Sequence, residues 1–278
     1  MPEVSSVQQH SGVHAAIARA SAATGVNFDY LLAQARIESA LDPSARAATS
    51  SAAGLYQFTT ATWLETLDRH GARHGLYWAD DAISRRGGRA QVDDPLLRSQ
   101  VMALRHDPDT AALMAAELAR DNAVELRGAL GREPDETELY LAHFLGAGGA
   151  RTFLSALASE PSQVAAALLP QAAAANRPIF YDKGRARSVG EVMDLMRGKV
   201  AAAMQGGAAP GMAHPTPSSS FWAVRPQSLP GSPREAAAAR RPSMAETLQA
   251  AFGPPDQLPG QAGERVGKAY AALKAFDL

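Results

Sequence analysis

The sequence predicts an all-α domain followed by a proline-rich tail, and three observations carry that expectation. Up to about residue 204, apolar residues recur at three- and four-residue spacing in segment after segment, separated by N-cap and glycine stop signals. No stretch there alternates apolar and polar residues as a half-buried strand does. Beyond it the texture changes, with ten of the 18 prolines falling in residues 205–262 among Gly, Ser and Ala. Such a segment buries too little apolar surface to offset its ordering entropy. The expected organisation is a flexible N-terminus (1–12), a helical domain (13–204), a disordered linker (205–262) and a short C-terminal helix (263–278).

The elements follow in order. Val13, Ala16, Ile17 and Ala20 mark a first helix that stops at Thr24-Gly25. Asn27 caps a second, carrying Leu31, Leu32, Ala35 and Ile37, which Pro43 prevents from continuing. Thr59 or Thr60 caps a third through Trp63, Leu64 and Leu67, closed by Gly71, with Trp63 expected in the core. Residues 72–93, rich in Gly, Arg and Asp, read as largely loop, and the Arg85, Arg86, Arg89 cluster as a solvated part of it. Periodicity returns at Pro95. Asp107-Pro108 reads as N-cap and first residue of a long helix ending at Gly131. Pro134 starts the next, which runs to Gly146, and two shorter helices follow near 149–158 and 161–169. Ser188 with Glu191 forms a capping-box pattern for a last helix ending near Met204.

Composition narrows the function. Lys and Arg total 27 against 28 Asp and Glu, a formal charge of −1, which leaves no long-range field to gather nucleic acid. The absence of cysteine excludes disulfides, thiolate catalysis and Cys-type zinc sites. No apolar run approaches the roughly 18 residues of a membrane span, and the first twenty residues lack the basic and apolar regions of a secretory signal. His70 and His74 have a helical metal-pair spacing, but Gly71 and Gly75 interrupt it, so exposed loop histidines are expected and no metal. Gly146-Ala147-Gly148-Gly149 lacks both the third dinucleotide glycine and a Walker lysine. It reads as a turn between helices, and no cofactor is expected.

One constellation remains. Glu38 sits in the last turn of the second helix, and Gln57 follows 19 residues later in a Gly54-Leu55-Tyr56-Gln57-Phe58 turn. Between Asp42 and Glu65 there is no Asp or Glu. A glycosidase ordinarily needs two carboxylates, and here a second acid is not supplied close behind the first. The negative end of a helix dipole and the apolar neighbours Ile37, Leu41 and Leu55 both disfavour a charge at this position, which suits a proton donor.

The run Glu38-Ser39, Ser50-Ser51-Ala52-Ala53-Gly54-Leu55-Tyr56-Gln57-Phe58 and Thr62-Trp63 resembles the catalytic motifs of soluble lytic transglycosylases, peptidoglycan-cleaving relatives of goose-type lysozyme. Leu141-Ala142-His143-Phe144-Leu145-Gly146 stands where that family carries Ala-Tyr-Asn-x-Gly. The resemblance covers about residues 13–200 and implies a lysozyme-like helical domain. It implies Glu38 as the acid that cleaves the bond between N-acetylmuramic acid and N-acetylglucosamine, then as the base that closes a 1,6-anhydro ring.

It also implies Gln57 and hydroxyls such as Ser51 as sugar-orienting groups. Tyr56, Phe58 and Phe144 are expected to pack on pyranose faces. His143 and Phe144 replace the Tyr-Asn pair, and Tyr181 is the candidate for restoring a phenol. The bland alternatives are a hydrogen-bonded core histidine at 143 and a packed aromatic at 181.

Two other functions stay open. A hydrolytic goose-type lysozyme would use a distant acid such as Asp80 or Asp81, and a non-catalytic peptidoglycan-binding or assembly module would only grip glycan. The expected partners are glycan strands, with a protein docking through the tail, where Phe221 and Trp222 stand out, or through the terminal helix. The substrate implies the periplasm or cell envelope, or delivery by a phage, with no export signal to choose the route.

Overall fold

The computed structural model describes residues 3–206, with side-chain surroundings from His10 onward. The linker beyond Gly206, Phe221 and Trp222 within it, and the C-terminal helix expected at 263–278 lie outside the described residues. The described domain is all-α, with two short hairpins. In order it comprises α1 (Glu3–Thr24), α2 (Phe28–Ser39), α3 (Thr60–His70), a 3-10 turn (Ala72–His74), α4 (Tyr77–Asp81), β1 (Ser84–Arg86) and β2 (Arg89–Gln91). There follow α5 (Pro95–Ala103), a 3-10 turn (Leu104–His106), α6 (Pro108–Leu130), α7 (Glu136–Ser159), α8 (Ala165–Leu168), α9 (Pro170–Ala175), α10 (Arg177–Phe180), β3 (Tyr181–Asp182), β4 (Arg185–Ala186) and α11 (Val189–Met204).

The helix starts follow from their caps. Asn27, Thr59, Asp94 and Asp107 each accept from backbone N–H groups of the first turn. Asp135 with Glu138 and Ser188 with Glu191 form reciprocal capping boxes. Each such cap contributes about 1 kcal/mol. The long helices α1, α6 and α7 pack in series, and α11 packs on both α2 and α7. Ile17, Leu31, Leu55, Trp63, Leu67, Met114, Leu126, Leu141, Phe153 and Phe180 are fully buried between them. Burying each such side chain supplies about 1.5–3 kcal/mol of transfer free energy. The Trp63 indole also donates to Val101 O at 2.8 Å.

The structure differs from the expected elements at two places. Residues 3–12, expected as a flexible N-terminus, continue α1. Residues 72–93 are not largely loop, because they hold α4 and the β1–β2 hairpin. Arg85 stays exposed, as expected of that cluster, and pairs with Glu65 and Asp68, both at 2.7 Å, and Glu65 accepts from Ala90 N. The hairpin is therefore clipped to α3 by charge rather than by an apolar face. The helical path from Glu136 breaks at Gly146 as expected, where φ of 72° and ψ of 154° are non-helical, and a second helical segment then continues α7 to Ser159.

Candidate active site

Glu38 lies in the last turn of α2, where the chain leaves the helix through two consecutive left-handed residues, Ala40 (φ 53°) and Leu41 (φ 67°). Their N–H groups return to Arg36 O and Ala35 O, closing the helix in a Schellman-like turn without glycine. An L-residue in that region costs about 1–2 kcal/mol. Of the four non-glycine residues with positive φ among the described residues, Gln57 (φ 48°) is a third member of this neighbourhood. Strain concentrated in this way marks functional sites more often than structural ones.

The segment after α2 is folded back and locked. Ala47 N donates to Ala52 O, Ala53 N to Phe58 O and Gly54 N to Ala45 O, so three short strands of loop bond side by side. Ser39 Oγ donates to Leu55 O at 2.8 Å, tying the residue beside Glu38 to the Gly-Leu-Tyr-Gln-Phe turn. From the other side the Arg105 guanidinium donates to Ser51 O (2.7 Å) and Phe58 O (3.0 Å). His106 Nδ1 donates to Pro43 O at 2.9 Å. Gly54 is obligatory, since a Cβ there would meet Arg105 O at 1.9 Å and its φ is +80°.

The Glu38 side chain is only 6% exposed, and His143 Nε2 of α7 lies 3.4 Å from its Oε1. Tyr140, one turn earlier on α7, stacks on His143 with ring centroids 6.2 Å apart and planes at 27°. Its buried hydroxyl approaches the Glu38 carboxylate outside good hydrogen-bond geometry. Burial, and then the Glu38 charge, push the Tyr140 phenol well above its ordinary value. Burial and then Glu38 likewise raise the Tyr30 phenol of α2. The Tyr56 phenol is raised by burial and then by Tyr30. On α11, burial holds the Lys199 ammonium below its ordinary value while Glu38 acts in the opposite direction. One carboxylate is thus felt by groups on α2, α7 and α11 in a poorly solvated interior.

Several expected contacts are placed elsewhere. Tyr56 is fully buried, and Phe58 is buried edge-on against Trp63 at 5.1 Å, so both serve the core and neither offers a face to a sugar. Phe144 is also buried. Gln57 spends its Nε2 on Gly54 O (2.9 Å) and Ala45 O (3.3 Å), which makes it a brace of the loop. Ser51 is exposed, and its Oγ accepts from Thr60 N. Tyr181 lies on β3 under the Arg177 guanidinium, 4.7 Å from its ring centroid; the phenol that approaches Glu38 is that of Tyr140.

Sequence reasoning missed Tyr30, Tyr140 and Lys199. Tyr140 carried a usable signal, standing three residues before His143 on the same helical face. Lys199 carried only its place in the buried stripe of Val192, Met196, Lys199 and Ala203.

His70 and His74 are not exposed loop histidines. His70 Nε2 meets Asp121 at 2.9 Å, and His74 Nε2 meets the almost fully buried Glu117 at 2.7 Å. Among the described residues no group of three or more His, Asp or Glu side chains is arranged to hold a metal ion, and no helix is long and apolar enough to cross a membrane. No protein-family model matches the chain.

Proposed function

We propose that the chain is a peptidoglycan lytic transglycosylase in which Glu38 works alone as acid and then as base. The observation that carries this reading is the solitary character of that carboxylate. It is buried at the strained end of α2, in contact with His143, and among the described residues it is the one acid acting on Tyr30, Tyr140 and Lys199. Asp80 and Asp81, the acids a hydrolase would need, belong to α4, which packs on α3 and the first 3-10 turn.

In the proposed cycle, protonated Glu38 donates to the oxygen linking N-acetylmuramic acid to N-acetylglucosamine as that bond breaks. The substrate's acetamido oxygen shares the positive charge of the anomeric carbon, in the role a second carboxylate otherwise fills. Glu38, now ionised, takes the proton of the muramic C6 hydroxyl, whose oxygen bonds to the anomeric carbon. The acid is regenerated and no water is consumed. Such a substrate belongs to the bacterial envelope, reached by export or by phage delivery.

Digestion of purified sacculi followed by mass spectrometry tests the reading. The expected products end in 1,6-anhydro-muramic acid, and Glu38→Gln is expected to lower the rate by about 10²–10⁴-fold. Reducing ends in place of anhydro ends would assign a hydrolytic lysozyme. Binding without cleavage would assign a glycan-gripping module, and a fully active Glu38→Gln protein would remove the acid from the chemistry.

A further inference from the structure

The outward face of the β1–β2 hairpin holds two guanidiniums that the cycle above does not use. In the register of the hairpin Arg86 stands directly opposite Arg89, on the face of the pair Ser84 and Gln91, while Arg85 and Ala90 fall on the other face. That inner face is anchored. Arg85 bonds Glu65 and Asp68 of α3 and, across the turn, Gly88 O at 3.2 Å, and Ala90 packs against the core. Gly87 and Gly88, at φ 58° and 78°, close the strands in a two-residue turn that needs left-handed residues. The outer face is poorly compensated by contrast. Arg86 is 75% exposed and meets Asp93, itself 58% exposed, at 3.4 Å, while Asp93 also accepts from Ser84 Oγ and Gln91 Nε2. Among the described residues no hydrogen bond or ion pair engages Arg89. Opposed residues of a hairpin carry their Cβ atoms about 5 Å apart, and like charges placed so are destabilising. Asp93 offsets one charge of the two.

We propose that Arg86 and Arg89 grip a carboxylate of the peptide stems that peptidoglycan carries along its glycan. The inference deepens the proposed reaction by naming a part of its substrate, and it rests on that reading for the choice of ligand. Two guanidiniums side by side suit a planar carboxylate, which accepts parallel N–H bonds, and its charge removes the repulsion that Asp93 leaves. The formal charge of −1 gives no long-range field, so the pair suits an anion already held nearby by its glycan rather than a free polyanion. The hairpin also stands within reach of a stem. Helix α3 begins directly after the Gly54–Phe58 turn, and Glu65 and Asp68, which hold the hairpin, lie five and eight residues beyond Thr60. That is roughly 7–12 Å along a helix. An extended peptide of three or four residues spans roughly 10–14 Å, so a stem leaving the glycan beside the turn covers the interval.

The test is co-sedimentation of the full chain with purified sacculi, in a Glu38→Gln parent so that binding is read without cleavage. Native sacculi are compared with sacculi whose carboxyl groups have been converted to amides. Amidation is expected to weaken binding of the parent about tenfold, the loss of two exposed ion pairs. Adding Arg86→Gln and Arg89→Gln to the parent should weaken binding to native sacculi by the same factor and leave binding to amidated sacculi unchanged. Both side chains are exposed, and a urea midpoint equal to the parent's excludes unfolding as the cause. If the parent bound both kinds of sacculi equally, or the added substitutions left native binding in place, the inference would be overturned. Vesicles of phosphatidylglycerol form the third arm, and binding to them that the substitutions abolish while sacculus binding holds overturns it in favour of a lipid surface. Charge-dependent binding with no cleavage by the wild type would sink the proposed reaction alone. Anhydro products without charge-dependent binding would sink the carboxylate grip alone.

Discussion

Replacing Gly54 with alanine tests whether the turn carrying Gln57 is held as rigidly as its bonding implies. Two costs add. The residue sits at φ +80°, where a Cβ costs about 1–2 kcal/mol. That Cβ would also lie 1.9 Å from Arg105 O and 2.8 Å from Arg105 C, against an ordinary contact of about 3.5 Å or more. Relief requires a backbone shift of more than an ångström on one side. The Arg105 side is resisted by the guanidinium bonds to Ser51 O and Phe58 O, and the turn side by Gly54 N on Ala45 O and Ser39 Oγ on Leu55 O. Overpacking of this kind costs about 1–3 kcal/mol, so the total is about 2–5 kcal/mol. Gly25 is the internal control. Its φ is +78° but its Cβ would meet nothing within 4 Å, so Gly25→Ala carries the strain alone, about 1–2 kcal/mol. Equilibrium urea unfolding of both variants isolates the collision as the difference. If Gly54→Ala lost no more stability than Gly25→Ala, the turn would be yielding freely and the argument for a rigid loop beside Glu38 would be refuted.

Two further outcomes follow from charges away from the site. Glu117 is 1% exposed in its side chain and is shared by His74 at 2.7 Å, Arg120 at 3.2 Å and Arg73 at 3.6 Å. Glu117→Ala is expected to cost about 3–5 kcal/mol in urea unfolding, and a loss below about 1 kcal/mol would show the cluster to be well solvated. The Glu191 carboxyl is held down to about 2, first by the Arg185 hydrogen bond and then by the Ser188 backbone. Asp121, although burial alone would raise it, is held low by bonding to His70 and by the His70 and Arg69 charges. For groups lowered in the folded state, the stabilisation is complete above the unfolded value and is lost as pH falls through the folded one. Stability should therefore fall between about pH 4.5 and pH 2, with a shallower fall in Glu191→Gln. A urea midpoint that stayed flat across that window would contradict the assigned pairings.

What was legible in the sequence is what depends on neighbours in the chain. Asn27, Thr59, Asp107 and the Ser188–Glu191 pair announce their helices because a cap bonds within its own first turn. The β1–β2 hairpin was not legible, because its first strand is exposed throughout and its anchors, Glu65 and Asp68, come from a helix some twenty residues earlier. Gly71 closes α3 at His70 as expected, but the Glu117 and Asp121 that partner His74 and His70 lie about 45 residues further on, beyond what chain neighbours reveal. In the site, Glu38 stood out by position alone. Tyr56 and Phe58 were misread because apolar rings in a turn offer no sign of whether they face ligand or core, and here both point inward.

The exchange at positions 143 and 144 gains a physical meaning from the geometry of α7. A phenol expected at 143 is replaced by an imidazole 3.4 Å from Glu38, while a phenol reappears at Tyr140, one turn back on the same helical face. The two groups are not equivalent partners. A phenol raised far above its ordinary value by burial and by Glu38 can offer its hydrogen to a carboxylate but does not ionise in turn. Imidazole nitrogen either accepts or donates according to its tautomer and charge. Nε2 of His143 accepts from protonated Glu38 in the tautomer that carries its hydrogen on Nδ1, and donates to the ionised acid once a proton has moved to Nε2. An acid that must become a base in mid-cycle needs a neighbour able to serve both states, so an imidazole at this position is compatible with the single-carboxylate chemistry proposed here.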